Sequence, residues 1–231
     1  PPVKLMTRGE LNQDMLDLLL RNCRLPDWNR TDLFSLVAAV RTAERHVHDL
    51  IGRFGRDAFV SACDQMLARN REAMRKIIQR VVPEEKLYFE DYIDSDGGGG
   101  GPYRMACSMW REGEKVIFDF DGTPPQSEYS VNLLLSRPIF KLFFGMLTVK
   151  LFDPQIVCNE GFADLVEVRI PEGTILRPLR PAALSNRGHV VGRMFDVLHG
   201  LLGQAVPEAL CGAGFSDSPH FMYFGHDRRG E

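Results

Sequence analysis

The sequence predicts an α+β protein: an N-terminal helical hairpin, then an antiparallel β-meander, then a mixed α/β remainder. Three observations carry this prediction. Apolar residues recur at helical spacing from Leu33 as far as Val81. Beyond Pro83 the texture changes to short apolar runs separated by clusters of Gly and Asp. Helical spacing then returns twice, over Arg137–Phe152 and over 190–205. The expected division is a helical segment, 1–82, followed by a sheet-containing segment, 83–231.

Each element has its own signal. Leu11, Met15, Leu18 and Leu19 mark a short helix before Pro26. Leu33, Leu36, Val37, Val40, Val47, Leu50, Ile51 and Phe54 mark a long one, with Asn29 or Thr31 as its cap and Gly55 as its end. Phe59, Val60, Cys63, Met66, Leu67, Met74, Ile77, Ile78 and Val81 mark a third, stopped by Pro83. The two long helices are also rich in Arg and Glu, so they read as an antiparallel pair with one solvated face. Strands are expected at 86–93 and 103–110, flanking Asp94-Ser95-Asp96 and the five glycines 97–101, which read as a flexible hairpin tip that tolerates shortening. Glu112-Gly113 turns the chain into a strand at 115–120, and a further strand is expected at 165–170 before a turn at Gly173-Thr174.

Composition narrows the function class. Of the 231 residues 44% are hydrophobic and 26% charged, with a formal net charge of -3, which fits a folded globular protein and not a disordered one. That charge gives no electrostatic drive toward nucleic acid or an anionic membrane surface. No run reaches the ~18 apolar residues of a membrane-spanning helix; the greasiest stretch, 139–152, is broken by Lys141, Gly145 and Lys150. Five widely spaced cysteines without a CxxC suit reduced thiols in a cytoplasmic protein. The chain opens on Pro1-Pro2-Val3 and closes on a turn-like Gly225-His226-Asp227, so it is expected to be an internal piece of a longer polypeptide.

The loudest motif is Val116-Ile117-Phe118-Asp119-Phe120-Asp121-Gly122-Thr123. Alone it resembles the DxDGT strand of haloacid dehalogenase-type phosphatases, in which the first Asp is a nucleophile and Mg²⁺ bridges carboxylate and phosphate. The context departs from that family: 115 residues precede the strand, and no late acidic pair of the GDxxxD kind follows. The glycine run lacks the Lys-Ser/Thr of a P-loop. His46 and His48 lie about 200° apart around a helix and cannot share a metal. Asp217-Ser218-Pro219-His220 places an acid beside an imidazole, which a loop hydrogen bond explains equally well. What remains is a set of polar residues at strand ends, with Asp119, Gln126 and Asn132 after one strand, Asn159 before another, and Arg187 and His189 just before the last helix. Turn formation accounts for many such residues without any chemistry.

Taken in order, these blocks resemble a known family. The run PPVKL, then GELNQDMLDLLLRN, then TDLFSLVAAVRTAERHVHDLIGRFG looks like the B-type subunit of hydantoinases, a family that includes 5-oxoprolinase and subunits of acetone and acetophenone carboxylases. Its DFxGTxxQ signature, continued to an Asn, is matched by Asp119 through Gln126 to Asn132, with Asp121 at a variable position. The later NxG, PxGxxxxP and PAA blocks follow from Asn159 to Ala183. Residues 167–171 and 214–220 look more like the ketone carboxylase branch.

The resemblance implies a two-component, ATP-dependent enzyme. An A-type subunit with an actin-like nucleotide fold would phosphorylate a carbonyl oxygen or bicarbonate, and the B-type subunit would complete carboxylation or cyclic amide hydrolysis. On that reading Asp119, Gln126 and Asn132 are the catalytic candidates, and Asn159, Arg187 and His189 the substrate-binding ones. This segment would bind no cofactor and no metal itself. ATP would come through the partner, and any divalent metal would be held by a His/Asp-rich segment preceding PPVKL. The expected partners are the A-type subunit, in a cytoplasmic hetero-oligomer, and a small carbonyl or cyclic amide substrate. The alternatives are the phosphatase built on Asp119 and a scaffold segment without catalytic residues.

Overall fold

The structure is a computed structural model that describes residues 3–185, 187–209 and 211–214. The chain forms two compact units, 1–63 and 64–231, and the division falls inside the second long helix.

In the first unit, β1 (Met6–Thr7) and β2 (Glu10–Leu11) pair antiparallel around Arg8 and Gly9, whose φ of 52° and 88° are those of a type I′ hairpin turn. Strands of two residues have no periodicity to detect, so nothing in the sequence pattern announced this hairpin. Helix α1 (Gln13–Arg21) is capped by Asn12, whose Oδ1 accepts from the Met15 N–H at 3.1 Å, and it buries Leu16 and Leu20. Helix α2 (Pro26–Phe54) begins earlier than the expected cap at Asn29 or Thr31, because Pro26 fits the first turn, where its missing N–H costs nothing. Asn29 and Thr31 instead donate back to the carbonyls of Leu25 and Asp27 inside the helix. Gly55, at φ 85°, ends the helix as expected. None of the 29 residues of α2 is buried.

The second unit holds the core. Helix α3 (Arg56–Val81) buries Met74, Ile77, Ile78 and Val81 in its last turns. Strands β3 (Leu87–Ile93), β4 (Tyr103–Glu112) and β5 (Lys115–Asp119) form the expected antiparallel meander. The fourth strand, β6 (Val166–Arg169), adds parallel to β5, with Val116 opposite Val166 and Asp119 opposite Arg169. The connection from β5 to β6 runs through α4 (Arg137–Phe152) and a 3₁₀ turn, Glu160–Leu165. A parallel neighbour requires such a crossover. Helix α4 fills the space it crosses: Phe118 of β5 meets Phe140 and Phe144 edge-on, each at 4.9 Å between ring centres. Helix α5 (Arg187–Ala205) packs on β3, where Gly200 leaves room for the Phe89 ring; a Cβ there would come within 2.6 Å of it.

Candidate functional site

Strand β5 delivers Asp119 to a turn. Its Oδ1 accepts the Asp121 N–H at 3.1 Å, Gly122 takes φ 86°, and the Thr123 N–H closes back on the Phe120 carbonyl at 3.2 Å. Arg104 donates to the Gly122 carbonyl at 3.0 Å and so pins the turn to β4. Asp119 is half-buried, beside Arg169 across the parallel register. Its observed work is to cap this turn.

Past the turn, residues 124–135 run alongside 171–177. The Gln126 N–H donates to Gly173, Leu133 to Ile175 and Leu135 to Leu176, at 2.7–3.0 Å. Two carboxamides lock the pair. Gln126 grips the Leu179 backbone at both ends: its Nε2 donates to the carbonyl at 3.1 Å, and its Oε1 accepts the N–H at 2.6 Å. Asn132 is fully buried. Its Oδ1 accepts the Ser127 N–H at 2.9 Å, while its Nδ2 donates to the carbonyls of Ser127, Tyr129 and Ala183 at 2.9–3.0 Å. Every hydrogen-bonding atom of that amide is therefore engaged by backbone. Gln126 and Asn132, expected as catalytic groups, hold two loops in register through these bonds; Asn132 is buried and Gln126 half-buried.

The glycine run belongs to the same construction, which corrects the expectation of a flexible tip. Asp96 accepts the N–H groups of Gly98 and Gly100 at 2.9 and 3.0 Å, the Tyr103 hydroxyl at 2.6 Å and the Ser127 hydroxyl at 2.8 Å. Those donors, the Tyr103 hydroxyl first among them, hold its carboxyl well below the usual range, and Asp96 in turn raises the Tyr103 phenol. The Tyr129 ring lies on Gly98 so closely that a Cβ there would come within 2.0 Å of it. At Gly98 and Gly100 a tyrosine ring and a carboxylate occupy the space that a side chain would need, while Gly97, Gly99 and Gly101 take positive φ. In sequence the run shows only low complexity; the signal that points to order is Asp96 immediately before it.

Asn159 lies elsewhere. It caps the 3₁₀ turn, accepting the Gly161 N–H at 2.9 Å, and donates to the Met66 carbonyl at 3.2 Å. It also lines a cleft of about 390 Å³ at the start of α4, with Arg137, Lys141 and Glu160 among apolar walls of Ile139, Leu142 and Phe162. Lys141 donates to the Ala163 carbonyl, and burial pushes its ammonium below the ordinary lysine value. Lys141 was legible in sequence only as a break in the most apolar stretch of the chain, and that interruption was its signal. Arg187 is exposed and His189 half-buried in the first turn of α5. The Asp217–His220 pair lies outside the described residues. Among the described residues no three His, Cys, Asp or Glu side chains converge as metal ligands. No described helix is long and apolar enough to cross a membrane.

This arrangement of loops matches known proteins. The hydantoinase B/oxoprolinase family model matches residues 1–231. The chain belongs to that family. A relative, the caprolactamase subunit beta of Pseudomonas jessenii, is 27% identical over 99% of this chain and 39% of its own length. The crystal structure of the ATP-dependent caprolactamase from Pseudomonas jessenii superposes with a TM-score of 0.80 at 25% identity, over 90% of this chain and 36% of that one. The nucleotide-free structure of acetone carboxylase shares the fold, with a TM-score of 0.78 at 18% identity over 89% of this chain and 29% of that one. The family member described here thus spans well under half the length of the relatives it matches. Nothing in these matches points to a phosphatase, and Asp119 caps a turn.

Proposed function

We propose that this chain is part of the B-type subunit of an ATP-dependent heteromeric enzyme acting on a small carbonyl compound, and that this compound is a cyclic amide. The observation that carries the reading is the match of the whole chain to the hydantoinase B/oxoprolinase family, with a caprolactamase subunit among the relatives. The chemistry is coherent. An amide carbonyl is a poor electrophile because nitrogen lone-pair donation stabilises it; a phosphoryl group placed on its oxygen by an ATP-binding A-type subunit turns that oxygen into a leaving group. The B-type subunit then has to orient the activated species and handle protons.

Within this chain the cleft at the start of α4 offers a place to receive a small polar molecule. Arg137 and Lys141 supply donors to a carbonyl or phosphoryl oxygen, and Ile139, Leu142 and Phe162 supply apolar walls for a methylene ring. Arg187 and His189 remain candidates for meeting anionic charge, and Asp119 for proton handling. Gln126 and Asn132 act as positioning residues for the loops that carry the family signature.

The test is to isolate the full-length protein from its own cells with whatever co-purifies, and to measure ATP turnover with a lactam, a hydantoin, and a ketone plus bicarbonate. ATP hydrolysis stimulated by a cyclic amide, with ring-opened product, supports the reading. Stimulation by the ketone alone moves the protein to the carboxylase branch, the alternative favoured by residues 167–171. A single-subunit protein with no ATP dependence overturns it.

A further inference from the structure

The most apolar helix of the chain, α4, is interrupted at Lys141 and Gly145, which lie four residues apart and so on one face, about 6 Å from each other along the axis. Both positions meet the same neighbour, the 3₁₀ turn Glu160–Leu165. Lys141 donates to the Ala163 carbonyl, and Gly145 lies under the Phe162 ring. A Cβ at Gly145 would come within 2.2 Å of the ring's Cζ, so the tip of the phenyl group fills the place of the missing side chain. The backbone that carries Phe162 is anchored on α3. Asn159 donates to the Met66 carbonyl at 3.2 Å, and Gly161 sits so close to Leu67 that a Cβ there would come within 2.0 Å of the Leu67 carbonyl oxygen. Phe162 belongs to the core, yet it also borders the cleft at the start of α4; Gly145 lies behind it, away from the cleft wall.

We propose that Gly145 and Phe162 set the depth of this cleft and so the size of ring it accepts, an inference that rests on the cleft being the cyclic-amide site. The cleft divides by chemistry. Arg137, Lys141 and Glu160 bring polar groups, and Ile139, Leu142 and Phe162 bring apolar surface. A cyclic amide divides in the same way, with its C=O and N–H adjacent on one edge and methylenes around the rest. The polar edge meets the lysine and arginine, and the methylene arc lies against Phe162. How many methylenes fit is then decided by how far the Phe162 ring withdraws. Over Gly145 it withdraws onto the helix backbone. Over any larger residue the ring has to move. Its own backbone is held through Asn159 and Gly161, and its core neighbours are close-packed, so the open volume it borders is the cleft. A methyl group on α4 that the substrate never touches thereby shortens the site.

The test measures dissociation constants of two lactams, five-membered pyrrolidinone and seven-membered caprolactam, by ligand-observed NMR titration of the full-length protein with whatever co-purifies. Circular dichroism checks folding. Gly145→Ala is expected to raise the ratio of the caprolactam constant to the pyrrolidinone constant by about tenfold, the discrimination that one methylene commands in an apolar pocket. Phe162→Leu, which vacates the place of the ring's tip, is expected to lower that ratio. The double variant, in which the methyl refills the vacated space, is expected to return it toward the wild-type value. Lys141→Met separates this inference from the reading beneath it, because it removes the polar contact common to both lactams and weakens both. If Lys141→Met does so while the ratio is the same in wild type, Gly145→Ala and Phe162→Leu, the cleft is the site and its depth is set elsewhere; that result overturns the inference alone. If neither lactam binds, or binding is indifferent to Lys141→Met, the cleft is not the cyclic-amide site and both fall. A Gly145→Ala protein that does not fold leaves the decision to Phe162→Leu, where an unchanged ratio overturns the inference.

Discussion

Helices α2 and α4 make an instructive pair. Both are long and apolar-striped in sequence, and both begin with a proline in the first turn. Yet α4 buries five of its 16 residues, with Phe140 and Phe144 against Phe118, whereas α2 buries none of its 29. Their apolar rows differ in kind. The apolar stripe of α2 covers one face, with polar residues such as Arg41, Arg45 and Asp49 beside it. Helix α4 is apolar around most of its circumference, as suits a crossover packed between a sheet and its neighbours. Hydrophobic periodicity therefore establishes that a helix has a face to hide; its width indicates what kind of surface hides it.

The sharpest way to break this comparison is to truncate equivalent side chains in the two helices. Phe140→Ala removes a ring that touches Phe118 and Phe120 in the core and is expected to cost about 3–5 kcal/mol in urea unfolding. Leu36→Ala, at an exposed position of α2, is expected to change the unfolding free energy by less than about 0.5 kcal/mol. Equal losses would mean that α2 is covered within one chain.

A second contrast is between polar groups that hold loops and polar groups open to a substrate. Asn132→Ala removes the partner of four backbone groups inside the protein and is expected to cost about 2–4 kcal/mol. Lys141→Met, which replaces a donor at the cleft wall with an apolar chain of similar length, is expected to leave stability within about 1 kcal/mol of wild type and, on the proposed function, to raise the KM for a carbonyl substrate of the full-length protein with its partner. If the Asn132 variant kept full stability while losing activity, the positions of structure and chemistry would be reversed.

Gly98→Ala sharpens the same contrast at the glycine loop. The methyl would enter the Tyr129 ring, so a loss of about 1–3 kcal/mol is expected, and Tyr129→Ala in the same chain should recover part of it. The acid limb of stability reports on Asp96. Its folded carboxyl lies below its unfolded value, so the stability it contributes is complete above the ordinary aspartate range and is lost as pH falls through that range and below. Asp96→Asn should therefore flatten the stability curve in acid relative to wild type, measured by urea midpoints across pH. An unchanged acid limb would show that the glycine loop is not anchored by that carboxylate.

Much of the architecture was legible. Gly55 and Pro83 punctuated the helices where the backbone required it, and the alternation within 86–93 and 103–110 gave the meander. The ordered blocks identified the family, because several motifs in one order constrain a fold more than any one of them. The parallel placement of β6 was not legible, since a strand's own pattern is the same whichever neighbour it joins. Nor were the roles of Gln126 and Asn132. A carboxamide reads identically in sequence whether it faces a substrate or grips a backbone 53 or 51 residues away.

The sequence alone determined that the long helices exist and where Gly55 and Pro83 stop them, that the strands after Pro83 form a meander, and which family the chain belongs to. These are local or ordered properties, set by steric preference, periodicity and turn chemistry over a few residues at a time. Tertiary structure decided which amides became clasps, why Gly98 and Gly100 have no room for a side chain, and which lysine is half-buried beside an apolar cleft. Those outcomes depend on what stands within a few ångströms in space, and a residue's spatial neighbours are set by the packing of distant segments.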